Sequence, residues 1–321
     1  MIEIDKNNLD EIKKWFFNYV ESFKSNDAEL LENILLKEKH TILVCEEILT
    51  IGNSLNLRKE ELYRAEIIAL LHDVGRFEQY KKYRTFSDGR SVNHAELGVD
   101  VLLKSHILDI LNDQEKNLIF KAVNYHNRLS LPEGETSECL FFAKLIRDAD
   151  KLDIYRVVTE YYVAKQNGKT SKGIEMDIPE TPGISDNVYN SLTNNEMVNS
   201  KDVKNFNDFK LLQAGWIFGI NFPVTYRLIK ERNYLEKINE SMVKTEKVQS
   251  IFDVIFNYLD AKLKLPTIDF AKWPMGNIRV TNGRITSFLY RKLSNDFFIL
   301  LLSFSEAKFR VNFQRLPAFM S

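Results

Sequence analysis

Histidine is scarce in this 321-residue chain, and four of its five histidines lie in or beside stretches with helical periodicity. These four are His40, His72, His94 and His126, and Asp73 directly follows the second of them. Neutral imidazole and carboxylate together suit Zn, Mn, Fe, Co or Ni rather than an ion that prefers oxygen ligands alone. Adjacent helical residues diverge by roughly 100° around the axis, but long side chains on one helix could still converge on an ion at its end. Helices from distant parts of the chain would supply the other ligands. The residue types therefore predict a divalent transition-metal site.

A second group of charged residues lies downstream in the string RDADKLD at 147–153. Asp148 and Asp153 are either hydrogen-bond partners of a ligating imidazole or solvated helix charges. The fifth histidine, His106, fits no spacing of this kind and is left out of the predicted site.

The ordered set His40, His72-Asp73 and a later Asp before Lys-Leu-Asp resembles the H…HD…D signature of the HD-domain metal-dependent phosphohydrolases. The resemblance covers roughly residues 28–165, and the helical region to about 263 is similar to the usual continuation in such proteins. It rests on the local strings LLHDVGRFEQY at 70–80, SVNHAELG at 91–98, NYHNR at 124–128 and DADKLD at 148–153.

The resemblance implies a set of metal ligands, with one or two ions per chain. Asp150 is preferred to Asp148 because the family's last Asp stands directly before a basic residue. His94 and His126 match the extra histidines of the family members that hold two metals, although His94 has the alternative of being a first-turn residue in a capped helix. Asn127 stands where part of that subset has another histidine, which weakens the second site. The implied first-ion ligands are His40, His72, Asp73 and Asp150.

Basic residues near these motifs are candidates for contact with an anionic substrate. Arg76 and Arg128 are predicted to bind substrate phosphate, because guanidinium groups suit phosphate oxygens bidentately. Lys151 is predicted either to stabilise the leaving oxygen or to pair with Asp148. With two ions, Asp73 would bridge them. Glu78 and Asp88 are weak candidates for a general acid.

The predicted activity is hydrolysis of a phosphate ester by attack of metal-bound hydroxide. The enzyme would be a phosphatase or phosphodiesterase, and its substrate a nucleotide or small phosphorylated metabolite. Two alternatives stay open. One is a di-iron HD-fold oxygenase, and the other is a nucleotide-binding regulatory HD protein with little turnover.

Composition excludes several other classes of protein. The formal net charge is −1, which argues against wholesale coating of nucleic acid. Cys45 and Cys139 are too few and too far apart for a disulfide framework or a cysteine zinc site, so a reducing cytoplasm is expected. The polar N-terminal stretch does not resemble a signal peptide. The longest apolar run, 297–302, is too short to cross a membrane.

Glycine and proline are scarce, and the long stretches without either favour a mainly α fold, an HD-type helical bundle. Residues 166–187 hold three glycines and two prolines and are predicted to form a loop or lid. Asn93 with Glu96 forms a capping-box pattern at the start of one helix. Helices are predicted over 9–24, 28–51, 59–74 closed by Gly75, 93–111, 113–126, 138–165, 206–233 and 234–263.

The last segment differs from the rest in charge and periodicity. Residues 276–321 hold seven Lys or Arg against two acids. Asn282-Gly283 between β-favouring runs is a hairpin signal, and residues 309–314 alternate apolar with polar. We expect a helical domain over 1–275 and a small basic β appendage over 276–321, with a poorly ordered tail as the alternative.

Overall fold

The computed structural model describes residues 4–264 in full and, in the C-terminal segment, the backbone of four strands between residues 278 and 315. The predicted mainly α fold is confirmed. Side-chain caps start several helices, because an Asp, Asn or Thr side chain accepts a backbone N–H that the first turn leaves unpaired. The first helices are α1 Lys6–Glu21, α2 Ala28–Ser54, α3 Lys59–Leu71, α4 Gly75–Tyr83, α5 His94–Ser105, α6 Asp113–Tyr125 and α7 Ser137–Gln166.

The helices that follow are shorter and separated by turns. Several of the connections are 3₁₀ turns, at Asp88–Arg90, Ile107–Ile110, Ser200–Asp202 and Trp216–Gly219. The remaining helices are α8 Lys172–Glu175, α9 Asp186–Thr193, α10 Phe206–Gly215, α11 Pro223–Glu231, α12 Tyr234–Glu240 and α13 Glu246–Lys264.

Several predicted boundaries were wrong. The helix expected over 93–111 ends at Ser105, because His106 adopts a left-handed backbone with φ of 56°. The N-cap of α6 is Asn112, not Asp113. Gly75 begins α4 instead of closing α3. The long helices expected over 206–233 and 234–263 are each broken into two, the first by the 3₁₀ turn Trp216–Gly219.

Two long helices, α2 and α7, pack against each other at the centre of this helical unit. Both are buried along much of their length, for example at Ile48 on α2 and Ala149 on α7. Burying one large apolar side chain contributes roughly 1.5–3 kcal/mol, so these helices are held firmly by the core. His40 lies in α2 and Asp150 in α7, so the core fixes the backbone that carries both.

A close approach of two backbones joins α4 to α5. A Cβ atom at Gly75 would lie 2.2 Å from the carbonyl oxygen of His94 and 2.6 Å from the backbone nitrogen of Gly98. Only glycine lacks that atom, and it therefore lets the start of α4 lie directly against the first turn of α5.

The C-terminal segment belongs to a second compact unit, because the chain divides into Met1–Leu265 and Pro266–Ser321. Its strands pair in sequence order as an antiparallel sheet, and Thr281 lies opposite Arg284, the register that a two-residue hairpin connection requires. The expected boundary at 275 and the pair Asn282-Gly283 lie outside the described residues. The strands are β1 Ile278–Thr281, β2 Arg284–Leu293, β3 Asp296–Ser305 and β4 Lys308–Arg315.

None of the helices in the described part of the chain is both long enough and apolar enough to cross a membrane.

Candidate metal centre

Two imidazoles and a carboxylate converge on one side of Asp73. His40 Nε2 lies 3.1 Å from Asp150 Oδ1, and His72 Nε2 lies 3.6 Å from the same oxygen. Both nitrogens lie 3.6 Å from Asp73 Oδ2. His40, His72 and Asp150 each offer one ligand atom, and these atoms lie within 4.8 Å of one another. We name this group the inner cluster.

The other oxygen of Asp73 faces a second pair of histidines. Asp73 Oδ1 lies 3.3 Å from His94 Nε2 and 3.6 Å from His126 Nε2. The two Nε2 atoms are 2.9 Å apart. We name these two histidines the outer pair. Asp73 therefore lies between the inner cluster and the outer pair, with one oxygen turned to each.

Two of the histidines occupy the same structural position, immediately after a helix. His72 follows α3 and His126 follows α6, and each ring directs Nδ1 at a carbonyl three residues back. These contacts are 2.6 Å to the oxygen of Ala69 and 2.7 Å to that of Val123. A carbonyl oxygen only accepts, so Nδ1 must carry the proton in each ring. When the ring is neutral, its Nε2 atom carries a lone pair that faces Asp73.

The other two histidines are held by carboxylates. His40 Nδ1 lies 2.6 Å from Asp153 Oδ2, and Arg156 donates to the same carboxylate at 2.7 Å. His94 Nδ1 lies 2.7 Å from Asp88 Oδ2. A carboxylate on the far nitrogen orients an imidazole and leaves Nε2 to act as a ligand. Asp153 was predicted to be either the partner of a ligating imidazole or a solvated charge. Its hydrogen bond to His40 fits the first of these.

Asp88 is the centre of a polar network beneath the outer pair. Besides His94, it accepts hydrogen bonds from Arg76 at 2.9 Å, Gln79 at 2.9 Å and Asn127 at 3.2 Å. Burial alone would raise the pKa of Asp88, but His94 and Arg76 outweigh it and hold that pKa well below its usual range. An ionised carboxyl has no proton to donate, so the structure favours Asp88 as the hydrogen-bond partner of His94 over a general acid. Glu78, the other weak candidate, is exposed.

Unpaired nitrogen atoms in the inner cluster indicate that it fits a metal ion. His40 and His72 are buried, and Nε2 of each has no hydrogen-bond partner within the described chain. Buried polar atoms are nearly always paired, so two unpaired nitrogens aimed at two carboxylates indicate a ligand from outside the chain. Nitrogen and oxygen donors of this kind fit a divalent transition metal.

The carboxylates of the centre are held in their charged form. Burial alone would raise the pKa of Asp73, but the Lys37 charge beside it outweighs burial and keeps that pKa well below its usual range. Burial would likewise raise the pKa of Asp150, but the neighbouring His40 and His72 rings outweigh it and keep that pKa well below its usual range. Both groups are therefore anionic near neutral pH, as metal ligands must be.

Lys37 is a residue of the site that sequence reasoning missed. Its Nζ lies 2.7 Å from Asp73 Oδ2 and 5.3 Å from the centre of the Phe86 ring. The available signal was spacing, because Lys37 stands three residues before His40 on α2 and so shares a face with it.

A cleft of about 700 Å³ opens onto this centre. The sequence-predicted basic residues Arg76, Arg128 and Lys151 all line it. Arg76 is committed to Asp88 and to the carbonyl oxygen of Phe86, whereas Arg128 is exposed and lies over the Tyr125 ring. The lining also includes Lys37, Arg90, Arg147, Lys201 and Lys204, against the acids Asp73, Asp88, Asp150 and Asp177.

The predicted loop or lid at 166–187 forms part of the wall of this cleft. It contains α8, and the segment after α8 contributes Met176, Asp177, Ile178 and Pro179 to the lining. Arg90 donates to the carbonyl oxygen of Met176 at 2.9 Å and lies 3.0 Å from the Asp177 carboxylate. These bonds tie the segment to the opposite edge of the cleft.

The charged residues around Asp150 separate into different tasks. Asp148 accepts from the backbone N–H groups of Asn221 and Phe222 and so fixes the start of α11. Arg147 donates to the carbonyl oxygens of Tyr125, His126, Arg128 and Leu129 and holds the chain after α6. Asp148 was predicted to be either an imidazole partner or a solvated charge, and its bonds to the backbone of α11 differ from both predictions.

Lys151 lies in α7 beside Asp150. It is buried and donates to the carbonyl oxygen of Arg147 at 3.2 Å, so its ammonium keeps donors for a group in the cleft. Burial and then the Arg147 charge lower the pKa of Lys151 to about 8.

Comparison with known protein families agrees with this geometry. The family model described as HD domain matches residues 38–155, a span that contains the inner cluster, Asp73 and the outer pair. The resemblance inferred from the motifs is confirmed over that span. No curated protein and no solved structure matches the chain.

Proposed function

We propose that this chain is a metal-dependent hydrolase of small phosphate esters, acting as a phosphatase or phosphodiesterase. HD domains are in general metal-dependent phosphohydrolases, and residues 38–155 match that family. The observation that carries the proposal is the pair of buried, unpaired Nε2 atoms of His40 and His72 directed at ionised carboxylates. A structural bundle has no use for such a buried arrangement, since unpaired polar groups destabilise the fold.

The chain's own residues divide the binding of the ion. His40, His72, Asp73 and Asp150 would hold the first ion, and Asp73, His94 and His126 would hold a second. When bound, such an ion lowers the pKa of a water ligand and offsets negative charge on a phosphoryl group. Asp153 and Asp88 orient the imidazoles through Nδ1 and keep their Nε2 atoms turned inward.

Cationic side chains supply the substrate side of the site. Arg128 is exposed in the cleft, and its guanidinium can bind two phosphate oxygens at once. Lys151 would stabilise the leaving oxygen through the N–H groups that do not bond Arg147. Arg76 would act on phosphate and also position Asp88. The excess of basic over acidic lining residues favours an anionic substrate.

The proposal is tested on the full chain by elemental analysis followed by a phosphate-release panel. The panel covers mononucleotides, cyclic nucleotides and sugar phosphates, each with Mn²⁺, Fe²⁺, Zn²⁺, Co²⁺ or Ni²⁺. We expect bound metal in the purified protein and phosphate release with at least one substrate. Asp150→Ala should lose both, whereas His106→Ala, at an exposed histidine, should keep both.

Arg128→Ala separates substrate binding from metal binding. Loss of one charge-assisted hydrogen bond is worth roughly 1.5–3 kcal/mol, so KM should rise by about 10- to 100-fold while metal content is unchanged. Arg227→Ala, at an exposed arginine outside the cleft lining, is the matched control. Bound iron with oxygen uptake and no phosphate release would replace the proposal by oxygenase chemistry. A nucleotide bound tightly without turnover would replace it by a regulatory role.

A further inference from the structure

Part of the lining of the cleft is apolar. Ile154, Met197, Phe209, Leu212 and Trp216 all line the cleft, and we call them the apolar wall. All but Leu212 are half-buried, so their side chains keep surface open to the cleft. Apolar surface gathered in a concave site marks a place where an apolar ligand group binds.

The apolar wall begins one helical turn from the metal centre. Ile154 follows Asp150 by four residues on α7, so the two side chains share a face about 6 Å apart along the axis. Trp216 packs its ring 5.9 Å from that of Tyr155, the neighbour of Ile154. The apolar wall is therefore continuous with the inner cluster within one cleft.

Three members of the apolar wall belong to one helical stripe. Phe209, Leu212 and Trp216 recur at spacings of three and four residues along α10 and the turn that follows it. They and Met197 lie outside residues 38–155, where the HD family model matches. This part of the cleft is therefore built by the chain's own continuation beyond the matched domain.

The size of the cleft excludes a substrate that is little more than phosphate. A water molecule occupies about 30 Å³ of liquid, and a phosphoryl group is only a few times larger. The cleft of about 700 Å³ has the volume of sites that hold a whole small molecule. Its charged residues suit the phosphoryl end of a substrate, and the apolar wall offers apolar surface to the rest.

We infer that the apolar wall binds the alcohol part of the substrate, and that this part carries a flat apolar ring. The inference rests on the proposed function, because it takes the phosphoryl group to lie at the metal centre. Trp216 and Phe209 would contact the ring, and Ile154 would lie between the ring and the phosphoryl group.

Two pairs of compounds test the inference. The first pair is ethyl phosphate and 2-(1-naphthyl)ethyl phosphate, both monoesters of primary alcohols, so their leaving groups are similar and only the ring differs. The second pair is the corresponding phosphonates, which are not hydrolysed and report binding by titration calorimetry. All four are measured with the full chain loaded with the metal found by elemental analysis.

We expect kcat/KM to be at least about tenfold higher for the naphthyl ester than for ethyl phosphate. A single methylene in an apolar pocket already changes kcat/KM by roughly tenfold, and a ring offers more contact. The naphthyl phosphonate should likewise bind at least about tenfold more tightly than ethylphosphonate.

Variants locate the effect on the apolar wall. Trp216→Ala and, separately, Phe209→Ala should each remove most of the preference for the naphthyl compound, measured as the ratio of the kcat/KM values for the two esters. Phe218→Ala is the matched control, because Phe218 lies in the same 3₁₀ turn but packs on Tyr258 outside the cleft lining. If one of the two variants fails to fold, as judged by circular dichroism, the other still decides.

The results distinguish the inference from the function on which it rests. Hydrolysis of both esters at equal kcat/KM, with equal phosphonate affinities, overturns the inference and leaves the proposed function standing. Hydrolysis of neither ester, with tenfold tighter binding of the naphthyl phosphonate, counts against hydrolysis and supports the apolar wall. A naphthyl preference that survives in both Trp216→Ala and Phe209→Ala places the ring elsewhere and overturns the assignment.

Discussion

The inner cluster and the outer pair lie on opposite sides of Asp73 and are built in different ways. His40 and Asp150 lie in the central helices α2 and α7, whose backbones the core holds. His94 and His126 lie at helix ends, next to an Asp88 side chain that is 33% exposed. Two of the three members of the inner cluster thus lie within helices that the core holds, whereas both members of the outer pair lie at helix ends.

The nitrogens themselves also differ in their partners. Nε2 of His40 and of His72 is unpaired within the described residues, whereas Nε2 of His94 lies 2.9 Å from Nε2 of His126. Because Nδ1 of each outer ring faces an acceptor, the two outer Nε2 atoms turn lone pairs toward each other, and a cation would relieve their repulsion. We still expect the inner cluster to bind its ion more tightly, because it adds the Asp150 carboxylate to two imidazoles, whereas the outer pair has no carboxylate besides the shared Asp73.

The residue shared by both sides gives the largest expected effect. Asp73→Asn replaces the shared carboxylate by a neutral amide and removes the charge that faces Lys37. Loss of a partner behind a ligand already costs roughly 10- to 100-fold in metal affinity or activity, so losing the ligand itself should cost more than about 100-fold in kcat/KM. Elemental analysis should show little metal on either side.

Asp109→Asn, at an exposed carboxylate, controls for the loss of one negative charge and should behave as wild type. Full metal content and turnover in Asp73→Asn would show that Asp73 is not a ligand shared by the inner cluster and the outer pair.

The next effect separates one side from the other. In His94→Ala we expect metal content to fall from near two ions per chain to near one, because the inner cluster keeps all its ligands. Catalysis should fall further than metal content, since two ions stabilise the attacking and leaving oxygens together. Adding His126→Ala should cost little more, because the two histidines act as a unit.

A wild-type protein with one ion per chain, unchanged in both histidine variants, would show that the outer pair contacts substrate or moves protons instead.

A smaller effect is expected behind the inner cluster. Asp153→Asn weakens the hydrogen bond that orients His40 at 2.6 Å, and first-ion affinity should fall by roughly 10- to 100-fold. The measurement is a competition titration with a chelator. An affinity equal to that of wild type would mean that packing alone orients His40 and that Asp153 contributes nothing to metal binding.

The smallest effect is expected behind the outer pair. Asp88→Asn should weaken only the second ion, and by about tenfold or less, because Asp88 is more exposed than Asp153 and shares its load with other partners of the network. The same chelator titration should show first-ion affinity unchanged. A larger loss of affinity for the first ion than for the second would show that Asp88 supports the inner cluster instead of the outer pair.

Much of the fold followed from local patterns. The stripes of α2 and α7 predicted helices close to those found, because long amphipathic runs without Gly or Pro have few alternatives. The break after α10 was missed, since Trp216 to Phe218 continue the helical periodicity and Pro223 is tolerated in a first helical turn. Only tertiary packing turns that stretch into a 3₁₀ turn.

The candidate site was predictable in its residue types but not in its contacts. His72-Asp73 and the ordered histidines carry a motif that the family match supports over residues 38–155. Their roles as ligands stay predictions. Lys37 was missed because a lysine on a helix is usually solvated, and its contact with Asp73 depends on how α2 packs. The apolar wall could not be foreseen, because its members become neighbours only when α10 packs beside α7.

The glycine at the start of α4 has a consequence for how the site can vary. Asp73 precedes Gly75 by two residues, and Gly75 abuts the main-chain carbonyl of His94, so the separation between the two sides is fixed by main chain against main chain. Exchanges of side chains around the site would leave that separation unaltered. A methyl group at Gly75 would act as a wedge between the two halves of the centre. The position of His94 relative to Asp73 is thus a property of the scaffold, and natural drift in the surrounding side chains would leave it in place.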